Sequence, residues 1–268
     1  MKTVEEFKVE NVEAINLGFS YFGKPYMSVH CYLIDGILID TGQPLMRKDL
    51  IKVLRTKKFN KVILTHFHED HSGNAAEIKK EFNTNIYGSH LTMNNMAKSY
   101  KILPYQHFMW GRTELVDMEP LPEIIEGENL LLKPISTPGH SKDHTVYYEK
   151  NRGFLFSGDL FLGDKIKYFR RDENYNEIIS SINKILRLDF DSVFCAHRPQ
   201  LKKGKLMFKR KLDFLLNFKG EVNNLYQKGY DEKSIVKTIS NKEVTIVKWI
   251  TFGDASLFNM VRASIDLN

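Results

Sequence analysis

Cysteine is scarce in this chain: 268 residues hold only Cys31 and Cys195. Two thiols make no disulfide framework, so free thiols in a reducing compartment are expected. Long apolar runs are missing as well, and none approaches the ~20 residues that span a bilayer. The opening Met1-Lys2-Thr3-Val4-Glu5-Glu6 lacks the apolar stretch of a secretion signal. A cytoplasmic protein with no membrane partner is therefore expected. Internal repeats and low-complexity tracts are also absent. What remains is ordinary globular composition, 42% hydrophobic and 27% charged. The length can bury a sizeable core, as one large domain or one domain with an appendage.

The net charge of +6 and pI near 9.0 leave room for an anionic partner. Part of the excess lies in Lys202, Lys203, Lys205, Lys209, Arg210 and Lys211. Such a run reads first as the solvated face of a helix, and second as a nucleic-acid or phosphate contact.

Periodicity and turn residues outline an α/β chain. Residues 31–34 and 37–40 flank Asp35-Gly36, a pair suited to the positive φ angles of a tight hairpin. A helix ending near Thr56 precedes the apolar run Val62-Ile63-Leu64. Ser72 or Asn74 can cap a helix to Phe82. A short strand over 85–87 and a helix over 91–99 follow. Residues 100–121 break the rhythm with Pro104, Gly111 and Pro120 around Tyr105, His107, Phe108, Met109 and Trp110; this stretch either covers a pocket or plugs the core edge. Strands are expected at 130–136, 145–149, 153–157 and 192–195, with a helix over 175–187. Beyond Gly204 the spacing becomes helical, with Gly229 as a stop, Asp231 capping a second helix and Asp254 a third. We divide the chain into a catalytic domain over 1–203 and a helical appendage over 204–268, with a winged-helix-like form as the alternative. Phe208, Phe214 and Trp249 in that tail have the spacing of core residues.

The densest chemistry lies in residues 66–71, His-Phe-His-Glu-Asp-His. Imidazole nitrogens and carboxylate oxygens suit zinc, manganese or iron, and so many ligands in one hexapeptide suggest two ions. Three more strand ends carry His140 after Thr137-Pro138-Gly139, Asp159 after Ser157-Gly158, and His197 after Cys195-Ala196. His66, His68, Asp70, His71, His140, Asp159 and His197 can thus converge on one sheet edge, enough for two ions sharing a carboxylate.

These motifs, with Asp40-Thr41-Gly42, resemble the metallo-β-lactamase superfamily, and within it the glyoxalase II-like metallohydrolases. The resemblance covers roughly residues 12–200. It implies an αββα sandwich holding two divalent ions, zinc first, with manganese or iron as alternatives. It assigns His66, His68 and His140 to one ion and Asp70, His71 and His197 to the other, with Asp159 shared. Asp40 would stand behind a histidine, and His144 would support rather than ligate. Glu69 matches no ligand position, and His30, His90 and His107 fit structural or solvent roles.

The implied reaction is hydrolysis by a hydroxide held between the ions, with Asp70 orienting it or passing a proton. A thioester or carboxylic ester is the first choice of substrate. Leu162 stands where the resembling lactonases carry tyrosine, and Pro199 where glyoxalase II proper does, so the acyl group stays open. Phosphodiester hydrolysis, as by ribonuclease-like members, is the second reading, and iron-dependent persulfide dioxygenation the third.

Overall fold

The computed structural model describes residues 1–25, 27–98, 100–239 and 245–266. Two sheets pack face to face. The first runs in chain order from β1 (Lys2–Val9) and β2 (Val12–Phe19) through β3 (Ser28–Ile34), β4 (Ile37–Ile39), β5 (Lys61–Ile63) and β6 (Asn85–Gly88) to β7 (Glu119–Pro120). Its first four strands are antiparallel and its last four pair in parallel. The second has the order β13-β11-β10-β9-β8, from β8 (Ile125–Glu126), β9 (Leu131–Ser136), β10 (Thr145–Glu149), β11 (Phe154–Gly158) and β13 (Ser192–Cys195). A separate ladder joins β12 (Phe169–Arg170) to β14 (Ala255–Ser256).

Alternation of side chains across the strands fixes three apolar layers. Between the sheets lie Ile34, Ile39 and Ile63 from one and Tyr147, Phe156 and Phe194 from the other. Outside the first sheet, α1 (Arg47–Leu54) and α3 (Ala75–Phe82) bury Leu50, Leu54 and Ile78 against Leu38, Val62 and Ile86. Outside the second, α6 (Tyr175–Ile185), α7 (Gly204–Gln227), α8 (Glu232–Thr238) and α10 (Leu257–Ser264) cover Val146, Leu155 and Val193. The architecture is the expected αββα sandwich with C-terminal helices.

Local chemistry explains most element ends. Asp35 and Gly36 take φ of 50° and 79°, so Ile34 pairs with Ile37 across the anticipated two-residue turn. Asp231 caps α8 by accepting Ser234 N–H at 2.8 Å. Asn74 precedes α3, but its side-chain amide donates to Thr41 O and Gln43 O instead of capping. The helix expected over 91–99 is α4 (His90–Met96), capped by Ser89, and residue 99 lies outside the described residues.

Three expectations need correction, and β1 and β2 are strands that the sequence reading did not anticipate. Ser256, not Asp254, caps α10, because β14 delays the helix and the Asp254 carboxylate is engaged elsewhere. Trp249, in α9 (Thr245–Ile250), is 76% exposed rather than core, whereas Phe208 is buried. Lys211 leaves the solvated face of α7 and is buried, donating to Leu160 O at 2.5 Å. Extended structure among the tail's described residues is limited to β14, which pairs outside the tail; residues 240–244 lie outside the described residues.

Candidate metal centre

Strand ends bring the expected residues together. β5 runs through Leu64 and Thr65 into His66 and the single turn α2 (Glu69–Ser72), which turns Asp70 and His71 toward the same point. The loop from β9 to β10 brings His140, the end of β11 brings Asp159, and the end of β13 brings His197. Gly139 has φ +132° and a Cβ there would sit 2.5 Å from the Ile178 amide nitrogen, so only glycine lets the chain pass behind His140.

Two clusters result: His66, His68 and His140, and beside them Asp70, His71, Asp159 and His197. In the first, His68 Nδ1 lies 2.9 Å from His66 Nε2 and 3.1 Å from His140 Nε2. In the second, His197 Nε2 is 3.4 Å from Asp70 Oδ2 and 3.5 Å from Asp159 Oδ1. Asp159 reaches both: Oδ1 is 3.3 Å from His71 Nε2, and Oδ2 is 3.3 Å from His140 Nε2.

On four of the five clustered histidines the ring nitrogen facing away has an oxygen partner, which sets the tautomer. His71 Nδ1 donates to Asp40 Oδ2 at 2.8 Å, His140 Nδ1 to Glu173 Oε1 at 2.6 Å, and His197 Nδ1 to Ser28 O at 2.7 Å. The Thr65 hydroxyl gives its hydrogen to Asp40 and therefore accepts from His66 Nδ1 at 3.0 Å. In the neutral form of these four histidines the Nε2 lone pairs consequently face inward. Close-set lone pairs repel unless a cation lies among them. Buried His71 Nε2 and Asp159 Oδ1 also have no hydrogen-bond partner among the described residues, as befits atoms meant for a cation. The donor set, nitrogen and carboxylate oxygen, fits a pair of divalent ions.

Electrostatics divides the clusters. Burial, reinforced by neighbouring histidines, holds His66 well below the usual imidazole range. Burial and Arg170 do the same to His68. For His71 and His197 burial pulls the same way but loses to the carboxylates around them, led by Asp159, and both are held well above that range. Burial opposes ionisation of Asp159, yet His197 and His71 outweigh it and keep the carboxyl well below its ordinary value.

The other histidines lie outside both clusters. His144 accepts the Asp159 N–H at 3.1 Å, the expected support. His30 Nδ1 meets Ala196 O, and His90 and His107 are exposed. Glu69 is not among the clustered ligands but is buried, and burial pushes its carboxyl up to about 7.

Spacing gave no sign of Glu173, Arg170, Tyr105 or Lys211. The 100–121 stretch has two fates. Its first half forms α5 (Pro104–Met109) beside the centre: Gln106 reaches Glu69 at 3.4 Å, and Trp110 lies with its ring 6.3 Å from that of His197. Its second half plugs the core through Val116 and Met118. Tyr105 donates to Asp254 Oδ2 at 2.6 Å, tying α5 to the tail. A small void behind the centre is lined by His140, Asp159, Glu173 and Lys211. Burial lowers the Lys211 ammonium to about 8.

An αββα sandwich carrying two adjoining clusters of potential metal ligands defines a class of metal-centred proteins. The chain belongs to the metallo-beta-lactamase superfamily, whose sequence profile matches residues 26–197. It is 32% identical over 180 residues to the Beta-lactamase-like protein 2 homolog of Drosophila melanogaster, covering 60% of this chain and 54% of that one. The match spans about half the length of such relatives. A Hydroxyacylglutathione hydrolase of Psychromonas ingrahamii is 25% identical over 246 residues, 88% of this chain and 83% of that one. A Beta-lactamase domain protein from Burkholderia ambifaria shares the fold, with TM-score 0.68 and 14% identity over 97% of this chain and 87% of that one.

Proposed function

We propose that this protein is a dinuclear metal-dependent hydrolase of thioesters or carboxylic esters. The observation that carries this reading is the Asp159 carboxylate, which divides its two oxygens between the two ligand clusters. His66, His68 and His140 would hold one ion, and Asp70, His71 and His197 the other, with Asp159 shared. Zinc is the first choice, with manganese or iron(II) as alternatives. Such ions, when bound, supply Lewis acidity that makes water nucleophilic near neutral pH. Asp70, whose Oδ2 faces His71 and His197, would orient the attacking water or take up its proton through the oxygen left free of the ion. Trp110 and α5 lie beside the centre, where a substrate would enter. Likeness over most of both chains to a protein named a hydroxyacylglutathione hydrolase supports the thioester class.

The phosphodiester reading rests on Lys202, Lys203, Lys209 and Arg210, all exposed near the start of α7. Metal-reconstituted protein, given short acyl thioesters, bis(p-nitrophenyl) phosphate and RNA, separates the two. Turnover of thioesters with two ions bound per chain is expected. Cleavage of the phosphodiesters alone would favour the second reading, and a single iron with persulfide-dependent oxygen uptake the third.

A further inference from the structure

Arg170 stands at the edge of the first cluster, its Nη1 3.4 Å from His68 Nε2. His68 turns Nδ1, not Nε2, toward His66 and His140. A histidine that uses Nδ1 as its lone pair carries its hydrogen on Nε2. Two donors, Nε2–H and Nη1, then face each other, while the guanidinium's Nη2 donates to Asp172 Oδ2 at 3.4 Å. Arg170 Nε is buried and also has no hydrogen-bond partner among the described residues.

The acids around Arg170 hold it in place without filling that need. Asp172 pairs with it at 3.3 Å, but that carboxylate is 55% exposed and its pull is screened by solvent. Asp254 is 3.9 Å from Nε, beyond hydrogen-bonding range, and its Oδ2 takes the Tyr105 hydroxyl. Glu173 spends Oε2 on the Arg170 backbone N–H and Oε1 on His140. The pairing of β12 with β14 fixes the backbone beneath. The result is a charged fork, still partly open to solvent, beside a ligand cluster and a second donor.

We infer that Arg170 and His68 form an anion subsite, and that the substrate carries an oxyanion, carboxylate or phosphate, close to its scissile bond. An oxygen about 2.8 Å from each nitrogen closes a triangle on the 3.4 Å donor pair, the length of a charge-assisted hydrogen bond. Arg170 is thus a specificity-determining residue. This deepens the dinuclear reading and rests on it, because it takes His68 Nδ1 as the atom facing an ion.

The test measures binding as well as turnover. Succinate and, separately, inorganic phosphate are titrated by calorimetry into zinc-loaded protein, its Arg170→Met variant and its Arg170→Lys variant. Arg170→Met should weaken the preferred anion roughly 10- to 100-fold, the loss of a hydrogen bond to a charged group. Arg170→Lys, which keeps the charge without the fork, should recover part of it. The arm with the larger loss tells carboxylate from phosphate. Equal binding by all three proteins, with thermal midpoints showing each folded, overturns the subsite. In parallel, KM is compared for acetyl and succinyl thioesters of one thiol. Arg170→Met should raise KM for the succinyl substrate at least several-fold more than for the acetyl one, and equal effects also count against the subsite. If the wild type hydrolyses neither thioester, the hydrolase proposal fails, while the calorimetry still decides the anion site.

Discussion

Glu173 does two things with one carboxylate: Oε1 takes the His140 Nδ1 hydrogen and Oε2 accepts the Arg170 N–H. Removing it should leave His140 free to turn and to change tautomer. Glu173→Ala is expected to cost roughly 10- to 100-fold in metal affinity, read by competition against a chromophoric chelator. Proton competition acts at the same centre. His71 and His197 are held well above the usual imidazole range by Asp159 and their other carboxylates, so each must release a proton before it can ligate. Metal affinity should therefore rise with pH through and above the usual imidazole range; a flat titration of affinity against pH would contradict the assignment of these two residues. Lys211 gives a pH signature in stability rather than binding. Its folded value of about 8 lies below the ordinary lysine value of 10.5, so between those limits the unfolded chain binds more protons. Stability should then rise as pH goes from 8 toward 10.5, and Lys211→Met should flatten that rise in thermal midpoints measured across the window.

At the level of elements, the sharpest dependence is the turn behind His140. Gly139→Ala forces φ of +132° on a residue with a Cβ and drives that atom to 2.5 Å from Ile178 N and 2.9 Å from Ile178 Cα, backbone that cannot swing away. A loss of at least about 1–3 kcal/mol in denaturant unfolding is expected, with weakened metal binding because His140 moves with its neighbour. The ligand-bearing strand ends were legible in sequence because each carries its own local signal: an apolar run, a small residue, then a histidine or carboxylate. The Asp35-Gly36 hairpin was legible for the same reason. β1 was not, since six of its eight residues, such as Glu5 and Lys8, are exposed and no apolar alternation marks it. Nor could local pattern tell that Asp254 would serve Tyr105 and Arg170 instead of a helix end, because those partners lie 149 and 84 positions away. Glu173 and Lys211 escaped for the same reason: their roles are contacts across the fold.

For the whole molecule, the question is whether residues 1–203 fold without the tail. Phe208, Leu215, Phe218, Val222 and Met260 are buried in the same cluster as Val146, Leu155 and Val193 of the second sheet. Fully burying one such side chain is worth about 1.5–3 kcal/mol, whereas a typical domain is stable by only about 5–15 kcal/mol. Loss of these five side chains alone removes a stabilisation of the same size as that margin. The tail also supplies the Lys211 ammonium beneath the loop that carries Asp159, and the Asp254 carboxylate that holds α5 through Tyr105. The tail's helices α7, α8 and α10 follow the family-like region in sequence, but by packing they lie in the outer layer of its second sheet. A protein ending at residue 203 should accordingly show no cooperative thermal transition by circular dichroism, expose apolar surface to a hydrophobic dye and bind metal weakly. Cooperative melting of that fragment with metal affinity near that of the full chain would instead make the tail a separable appendage, and would move the source of the fold's stability back into the two sheets and the helices outside the first.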